Sequence, residues 1–246
     1  MAPLFPVPSR NRPLEFIMAT NKSTPSAQQT PKRILLVDDH PMVRERLTEV
    51  ILREPDLTVC GEAEDRFQAM EKIAATRPDL AIVDLTLKRS HGMELIKDIR
   101  SQHPDLAVLV VSMHDEMLHA ERVIRAGARG YITKQEATRK IMVAIRTVLN
   151  GDVYLSEKMA AHIAANAVGR AQARPSLPVN SLSDRELCVF EMIGQGHGTR
   201  QIADELHLDM RTVETYRARI KDKLHLKDAN DLLQHAIRWM QAEGSL

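Results

Sequence analysis

Between Arg33 and Leu149, five short, almost unbroken apolar runs alternate with stretches whose apolar residues recur every third or fourth position. No other feature of the chain narrows its fold as far. The runs lie at residues 34–37, 57–60, 80–83, 107–111 and 130–132, and the helical patterns at 42–52, 67–75, 93–99, 117–126 and 141–149. A strand whose successive residues are all apolar has both faces covered, as in a parallel sheet with helices on each side. The alternation predicts a doubly wound α/β fold built on a (βα)5 parallel sheet.

That unit uses about half of the 246 residues, so a second domain is expected. One more helical pattern, 157–167, is followed by Arg170-Ala-Gln-Ala-Arg-Pro-Ser-Leu-Pro178, whose prolines and weak periodicity mark a linker. Beyond it four helices are legible, at 184–193, 199–206, 210–224 and 229–240, with glycines 194, 196 and 198 separating the first two, and no strand pattern. Ser183 and Glu186 have capping-box spacing. The expected organisation is a disordered tail at 1–31, an α/β domain at 32–151, a helix and linker at 152–181, and an all-α four-helix domain at 182–246. The tail is rich in Pro, Ser, Thr, Gln and Asn and lacks the apolar periodicity to offset the entropy of ordering. Met18 within it is an alternative start.

The chain has no apolar run long enough to span a bilayer and no apolar leader core, so a cytoplasmic protein without a membrane partner is expected. Cys60 and Cys188, far apart in apolar segments, suit buried thiols of a reducing compartment. His197, His207, His225 and His235 lack zinc-ligand clustering and read as surface or core residues.

In an open parallel sheet, ligands collect beyond the carboxyl ends of the strands. Asp38 and Asp39 follow the first apolar run, Asp84 the third, Ser112 the fourth, and Lys134 the fifth. Each acid taken singly is also an ordinary turn or cap residue. Together they place three like charges at one edge, which requires a compensating cation, and an all-oxygen donor set suits Mg2+. Asp84 is then a candidate nucleophile toward a phosphoryl group, with Ser112 and Lys134 placed to meet the phosphoryl oxygens.

Val37-Asp-Asp39, Asp84-Leu-Thr-Leu87, Val110-Val-Ser112 and Tyr131-Ile-Thr-Lys134 resemble, in order and spacing, the motifs of response-regulator receiver domains over residues 33–150. The resemblance implies that Asp84 is the phosphoacceptor and that Asp38, Asp39 and Asp84 hold Mg2+ with the backbone carbonyl of Thr86. It further implies that Ser112 and Lys134 sense the phosphoryl group and that Tyr131 is the aromatic switch. Two departures stand out: Lys88 replaces the family's usual proline and His91 its Asp or Asn. Lys88 is expected to add a cation near the site and to alter phosphotransfer partners or acyl-phosphate lifetime.

In the second domain, Val213, Ile220 and Leu224 form one helical stripe, while Arg211, Thr215, Ala218, Arg219 and Asp222 face away, flanked by Thr212, Glu214 and Lys223. The whole chain carries only +1 formal charge, so DNA binding must rest on a local patch. Residues 210–223 supply one, with five basic side chains against two acidic. Charge and periodicity alone also suit a solvated face in a protein-interaction module. Leu182-Ser-Asp-Arg-Glu-Leu187, Gln201-Ile-Ala-Asp-Glu-Leu206 and Arg211-Thr-Val-Glu-Thr-Tyr216 resemble the LuxR-type helix-turn-helix, and with the receiver the NarL/FixJ-family architecture. Carried over, Arg211, Glu214 and Thr215 approach base edges, while Thr199, Arg200, Thr212, Tyr216, Arg219 and Lys223 contact phosphates. The last helix supplies a dimer contact through Leu232, Leu233, Ile237 and Met240, or is simply core.

The resemblance implies a non-enzymatic regulator. A cognate sensor histidine kinase phosphorylates Asp84, the only chemistry being at that residue, and the chain, homodimeric when phosphorylated, binds double-stranded promoter DNA. The alternatives are a DNA-binding regulator indifferent to phosphorylation and a Mg-dependent phosphotransferase or phosphatase.

Overall fold

A computed structural model describes residues 30–88, 90–167 and 178–244. The expected tail, up to residue 29, and most of the expected linker, at 168–177, lie outside the described residues. Five strands, β1 (Lys32–Val37), β2 (Leu57–Ala63), β3 (Leu80–Val83), β6 (Ala107–Ser112) and β7 (Gly130–Thr133), form one parallel sheet in the order β2-β1-β3-β6-β7. A small antiparallel pair, β4 (Thr86–Leu87) with β5 (Ser90–His91), follows β3.

The pleat divides the apolar runs between two cores. Leu35, Val37, Ala81, Val83, Val108, Val110 and Tyr131 face one layer, covered by α2 (Arg66–Thr76), α3 (Gly92–Gln102) and α4 (Glu116–Ala126). Ile34, Leu36, Leu80, Ile82, Leu109, Val111 and Ile132 face the other, covered by α1 (Pro41–Ile51) and α5 (Lys134–Leu149). Each fully buried Leu or Ile contributes about 1.5–3 kcal/mol relative to exposure, so this two-sided burial is what commits the runs to a covered sheet. Helix α6 (Glu157–Ala167) sends Met159 and Ile163 into the first layer.

The second domain is α7 (Asp184–Gly194), α8 (Thr199–Glu205), α9 (Met210–Leu224) and α10 (Ala229–Gly244), preceded by a 3-10 turn at Pro178–Ser181. Its core holds Leu187, Phe190, Ile193, Ile202, Leu206, Val213, Ile220, Leu224, Leu232 and Trp239, with the Phe190 and Trp239 rings 5.4 Å apart. The capping box forms as expected: Ser183 Oγ accepts from Glu186 N, and Glu186 Oε2 accepts from Ser183 N at 2.7 Å. Gly194 lets α7 and α10 approach closely, since a Cβ there would lie 2.8 Å from the Ala236 carbonyl oxygen. Of the four α10 residues offered for a dimer contact, Leu232 is fully buried in the domain's own core, which removes it from that role. Ile237 and Met240 are half-buried and Leu233 is exposed.

Candidate functional site

The carboxyl edge of the sheet gathers the polar residues that follow its strands. Asp38 leaves β1 and Asp84 leaves β3, 4% and 3% exposed respectively. The Lys134 ammonium lies 2.7 Å from Asp38 Oδ2 and 2.7 Å from Asp84 Oδ2. Lysine takes this place because Thr133 caps α5, accepting from Glu136 N, and Lys134 is the first residue of that helix. Burial raises the Asp84 carboxyl above the usual carboxylate range, and repulsion from Asp38 adds to this while Lys134 opposes it. For Lys134, burial works against the cation, but Asp84 and Asp38 outweigh it and keep the amine charged. Asp84 Oδ1 is buried and has no hydrogen-bond partner among the described residues.

Asp38, Asp39, His40 and Asp84 bring one ligand atom each within 4.8 Å of one another. The donor set is three carboxylates and the His40 imidazole, the Oδ1 atoms of Asp39 and Asp84 lack a hydrogen-bond partner among the described residues, and one lysine leaves the carboxylates net negative; the three carboxylates fit a hard divalent cation such as Mg2+. Arg44, which the sequence reading overlooked, braces the edge by donating from Nη1 to the Asp38 carbonyl (2.6 Å) and from Nε to Glu62 (2.8 Å).

The loop after β3 closes tightly on Asp84. Gly92 N donates to the Leu85 carbonyl (2.9 Å), and a Cβ on Gly92 would sit 2.0 Å from the Asp84 carbonyl oxygen, so only glycine fits. His91 does the capping work of the acid it replaces: its Nδ1 accepts from Met93 N at 3.1 Å, and burial holds its pKa well below the ordinary histidine value, in the neutral form that can accept. Lys88 departs from expectation. Its Nζ lies 3.1 Å from Glu64 and its backbone amide donates to the Glu64 carbonyl, so its charge is directed to Glu64 rather than to the carboxylate cluster.

Ser112 is fully buried at the end of β6, and its Oγ accepts from His114 N. Tyr131 is also fully buried and donates from its hydroxyl to the His114 carbonyl at 2.8 Å. Thr86, in β4, places its Oγ1 3.2 Å from His114 Nε2. Three sequence-predicted residues thus converge on His114, which no motif or spacing singles out.

From His114 the network crosses to the helical domain. Glu191 of α7 is 3% exposed and lies 3.2 Å from His114 Nδ1 and 2.8 Å from His119 Nε2. Burial pushes the Glu191 carboxyl upward, but His119 and His114 outweigh it and hold the pKa at about 2. Burial disfavours the His114 cation, yet Cys188 and Glu191 together hold its pKa well above the usual value. Arg122 of α4 donates to the Leu182 carbonyl (2.9 Å), Lys97 of α3 pairs with Asp184 (3.1 Å), and Leu118 packs against the helical core. His207, expected to be a bland surface or core residue, lies 3.0 Å from Asp39 Oδ2.

On α9, Arg211, Glu214, Thr215, Arg219 and Lys223 are exposed, while Thr212 and Tyr216 are half-buried. Thr199 Oγ1 donates to Glu214 (2.7 Å), Thr215 Oγ1 to the Arg211 carbonyl (2.9 Å), and Lys223 Nζ lies 2.6 Å from Glu186. Arg200, on α8, is exposed.

An acidic pocket at the carboxyl edge of a doubly wound sheet, docked on a four-helix unit with an outward basic helix, defines the molecule as a response regulator with a DNA-binding output domain. Comparison with known proteins agrees. The family described as response regulator receiver domain matches residues 34–146, and the family of bacterial regulatory proteins of the LuxR type matches residues 180–236. The oxygen regulatory protein NreC of Staphylococcus epidermidis is 30% identical over 211 residues, covering 84% of this chain and 97% of the relative. NreC of Staphylococcus carnosus is 31% identical over 210 residues with the same coverage. The chain belongs to the NarL/FixJ family of two-component transcription regulators. Among solved structures, a LuxR-family response regulator from Aurantimonas is 36% identical over 56% of this chain and 99% of its own, with a TM-score of 0.53. RcsB of Salmonella enterica serovar Typhimurium, bound to promoter rprA in the presence of a phosphomimetic, is 21% identical over 84% of this chain and 98% of its own, with a TM-score of 0.56, and shares the fold. No helix among the described residues is long and apolar enough to cross a membrane.

Proposed function

We propose that Asp84 accepts a phosphoryl group from a sensor histidine kinase and that this changes how the receiver holds the output domain, and so how the protein binds promoter DNA. The observation that carries this reading is the asymmetry of the Asp84 carboxylate. One oxygen is fixed by Lys134, while the other is buried and unpartnered, as a nucleophile oxygen must be. In the transfer that oxygen forms the new O–P bond, the N–P bond of the phosphohistidine breaks, and the leaving imidazole nitrogen takes a proton. Asp38, Asp39, Asp84 and the Thr86 carbonyl would hold Mg2+, which neutralises developing charge at the phosphoryl oxygens. Lys134 adds a fixed cation, and Ser112 is placed to donate its hydroxyl proton to the phosphoryl group. Autodephosphorylation at Asp84 would be the only hydrolytic chemistry.

Drawing Ser112 toward the phosphoryl group perturbs what it holds now, the His114 amide, and His114 in turn touches Tyr131, Thr86 and Glu191. Phosphorylation at Asp84 is thereby linked to α7 of the output domain. On this reading residues 32–151 form the receiver, 152–181 the helix and linker, and 182–246 the DNA-binding domain of a cytoplasmic protein. Arg211, Glu214 and Thr215 meet base edges, while Thr199, Arg200, Thr212, Tyr216, Arg219 and Lys223 meet phosphates; Lys223 must leave Glu186 to do so. Leu233, exposed on α10, suits the homodimer contact. Incubation with acetyl phosphate and Mg2+ should give one acid-labile phosphoryl adduct by mass spectrometry, absent in Asp84→Asn; an equal adduct in the variant would overturn the assignment.

One observation favours a second reading. The outward residues of α9 are exposed while the receiver is docked on α7, so the base-reading face is open without phosphorylation. Promoter binding that is identical in Asp84→Asn and in protein treated with acetyl phosphate would support phosphorylation-independent binding.

A further inference from the structure

We propose that His114, His119 and Glu191 form a binding site for a borderline divalent transition-metal ion of the Zn2+ class, bridging the receiver and the output domain. The ligand atoms come from the loop after β6, from α4 and from α7, and all lie within 4.8 Å of one another. Glu191 oxygens are 2.8 and 3.0 Å from His119 Nε2, and 3.2 Å separates Glu191 Oε2 from His114 Nδ1. Nitrogen and oxygen ligands at zinc bond lengths of about 2.0–2.1 Å, arranged tetrahedrally, sit about 3.3 Å apart. Each histidine therefore needs to move away from Glu191 by no more than a few tenths of an ångström to admit the ion.

Two imidazoles and one carboxylate form a ligand class known for zinc with a fourth position left to water, and imidazole discriminates against Mg2+ and Ca2+. His119 and Glu191 are 1% and 3% exposed, so the Glu191 carboxylate needs a buried counter-charge; the His114 proton supplies it, and an ion bound at Nδ1 would displace that proton and take over its charge-balancing role. The outer contact that a ligating histidine requires is present at His114, while His119 Nδ1 is buried with no hydrogen-bond partner among the described residues. With Nδ1 of His114 on the metal, Nε2 keeps its proton and donates to Thr86 Oγ1, 3.2 Å away, with Cys188 Sγ at 3.9 Å; such contacts fix the tautomer and ring plane. The site is separate from the Asp38–Asp39–Asp84 cluster, and its existence does not depend on the phosphorylation reading.

Because two ligands belong to the receiver and one to the output domain, the bound ion would add a cross-link and raise the melting temperature of the docked state. Metal-stripped full-length protein titrated with Zn2+ in excess Mg2+, against a chromophoric chelator, should bind one equivalent. Co2+ in its place should give the visible absorption of a four- or five-coordinate ion without a thiolate charge-transfer band. His119→Ala and the near-isosteric Glu191→Gln should each lower affinity at least about 10-fold, while Asp84→Asn and Cys188→Ser retain it. Failure of the wild-type protein to compete with the chelator would leave only a hydrogen-bonded His–Glu cluster and overturn the proposal. So would an equivalent that survives in His119→Ala and Glu191→Gln or disappears in Asp84→Asn, which would place the ion in the carboxylate pocket.

Discussion

The residues at the carboxyl edge are set for function at the expense of stability. Asp84 keeps one charged oxygen buried and unpartnered beside Asp38, with Lys134 as the compensating charge. Asp84→Asn should therefore raise the melting temperature in metal-free buffer at neutral pH, and calorimetry showing a lower value would contradict the burial argument. Gly92 illustrates steric necessity: with a Cβ 2.0 Å from the Asp84 carbonyl oxygen, Gly92→Ala should cost about 3 kcal/mol in chemical denaturation, the upper end for overpacking, and displace Asp84. Asp38, Asp39, Asp84, Ser112 and Lys134 were legible from the sequence because strand ends in a parallel sheet share one edge. His114, His119, Glu191 and His207 were not. Their partners lie between 72 and 168 positions away on another domain, and no local spacing encodes that pairing.

At the scale of elements, periodicity placed all five sheet strands and the helices that cover them, and it failed where polarity masks a buried face. Helix α5 begins at Lys134 rather than near residue 141, because its first seven residues bury only Ala137 and its start is set by the Thr133 cap. Strand β2 runs on to Ala63 through Gly61 and Glu62, since an edge strand tolerates polar residues. The pair β4 and β5 is two residues per strand, too short to leave a pattern. In the output domain, Glu186 joins the α7 capping box to Lys223 of α9. Burial would raise its carboxyl, but Lys223 and the Ser183 donors outweigh that and hold it below the usual value of 4.5. A lowered folded-state pKa stabilises above pH 4.5 and is lost as pH falls through the lowered value. Glu186→Gln keeps the cap and removes the ion pair, so it should destabilise by about 1 kcal/mol at neutral pH, discounted for the exposed lysine, with the difference vanishing in acid. A constant difference across pH would refute the ion-pair account.

The whole molecule is a receiver held against the first helix of its output domain by a chain of contacts that starts beside Asp84. Two domains and their family architecture were readable in the sequence; the docking of α3 and α4 on α7 was not, because it rests on single polar pairs and Leu118 rather than on a periodic apolar face. If phosphorylation acts through this contact, it must shift a two-state balance, and moving it from 1:99 to 99:1 takes about 5.5 kcal/mol of preference for one arrangement. The most direct test measures binding of the full chain to a selected DNA site, with and without beryllofluoride and Mg2+, and repeats it on Asp84→Asn. The analogue should change affinity in the wild-type protein and leave the variant unchanged. Equal affinity in all four conditions would retain the DNA-binding domain and contradict the phosphoryl switch.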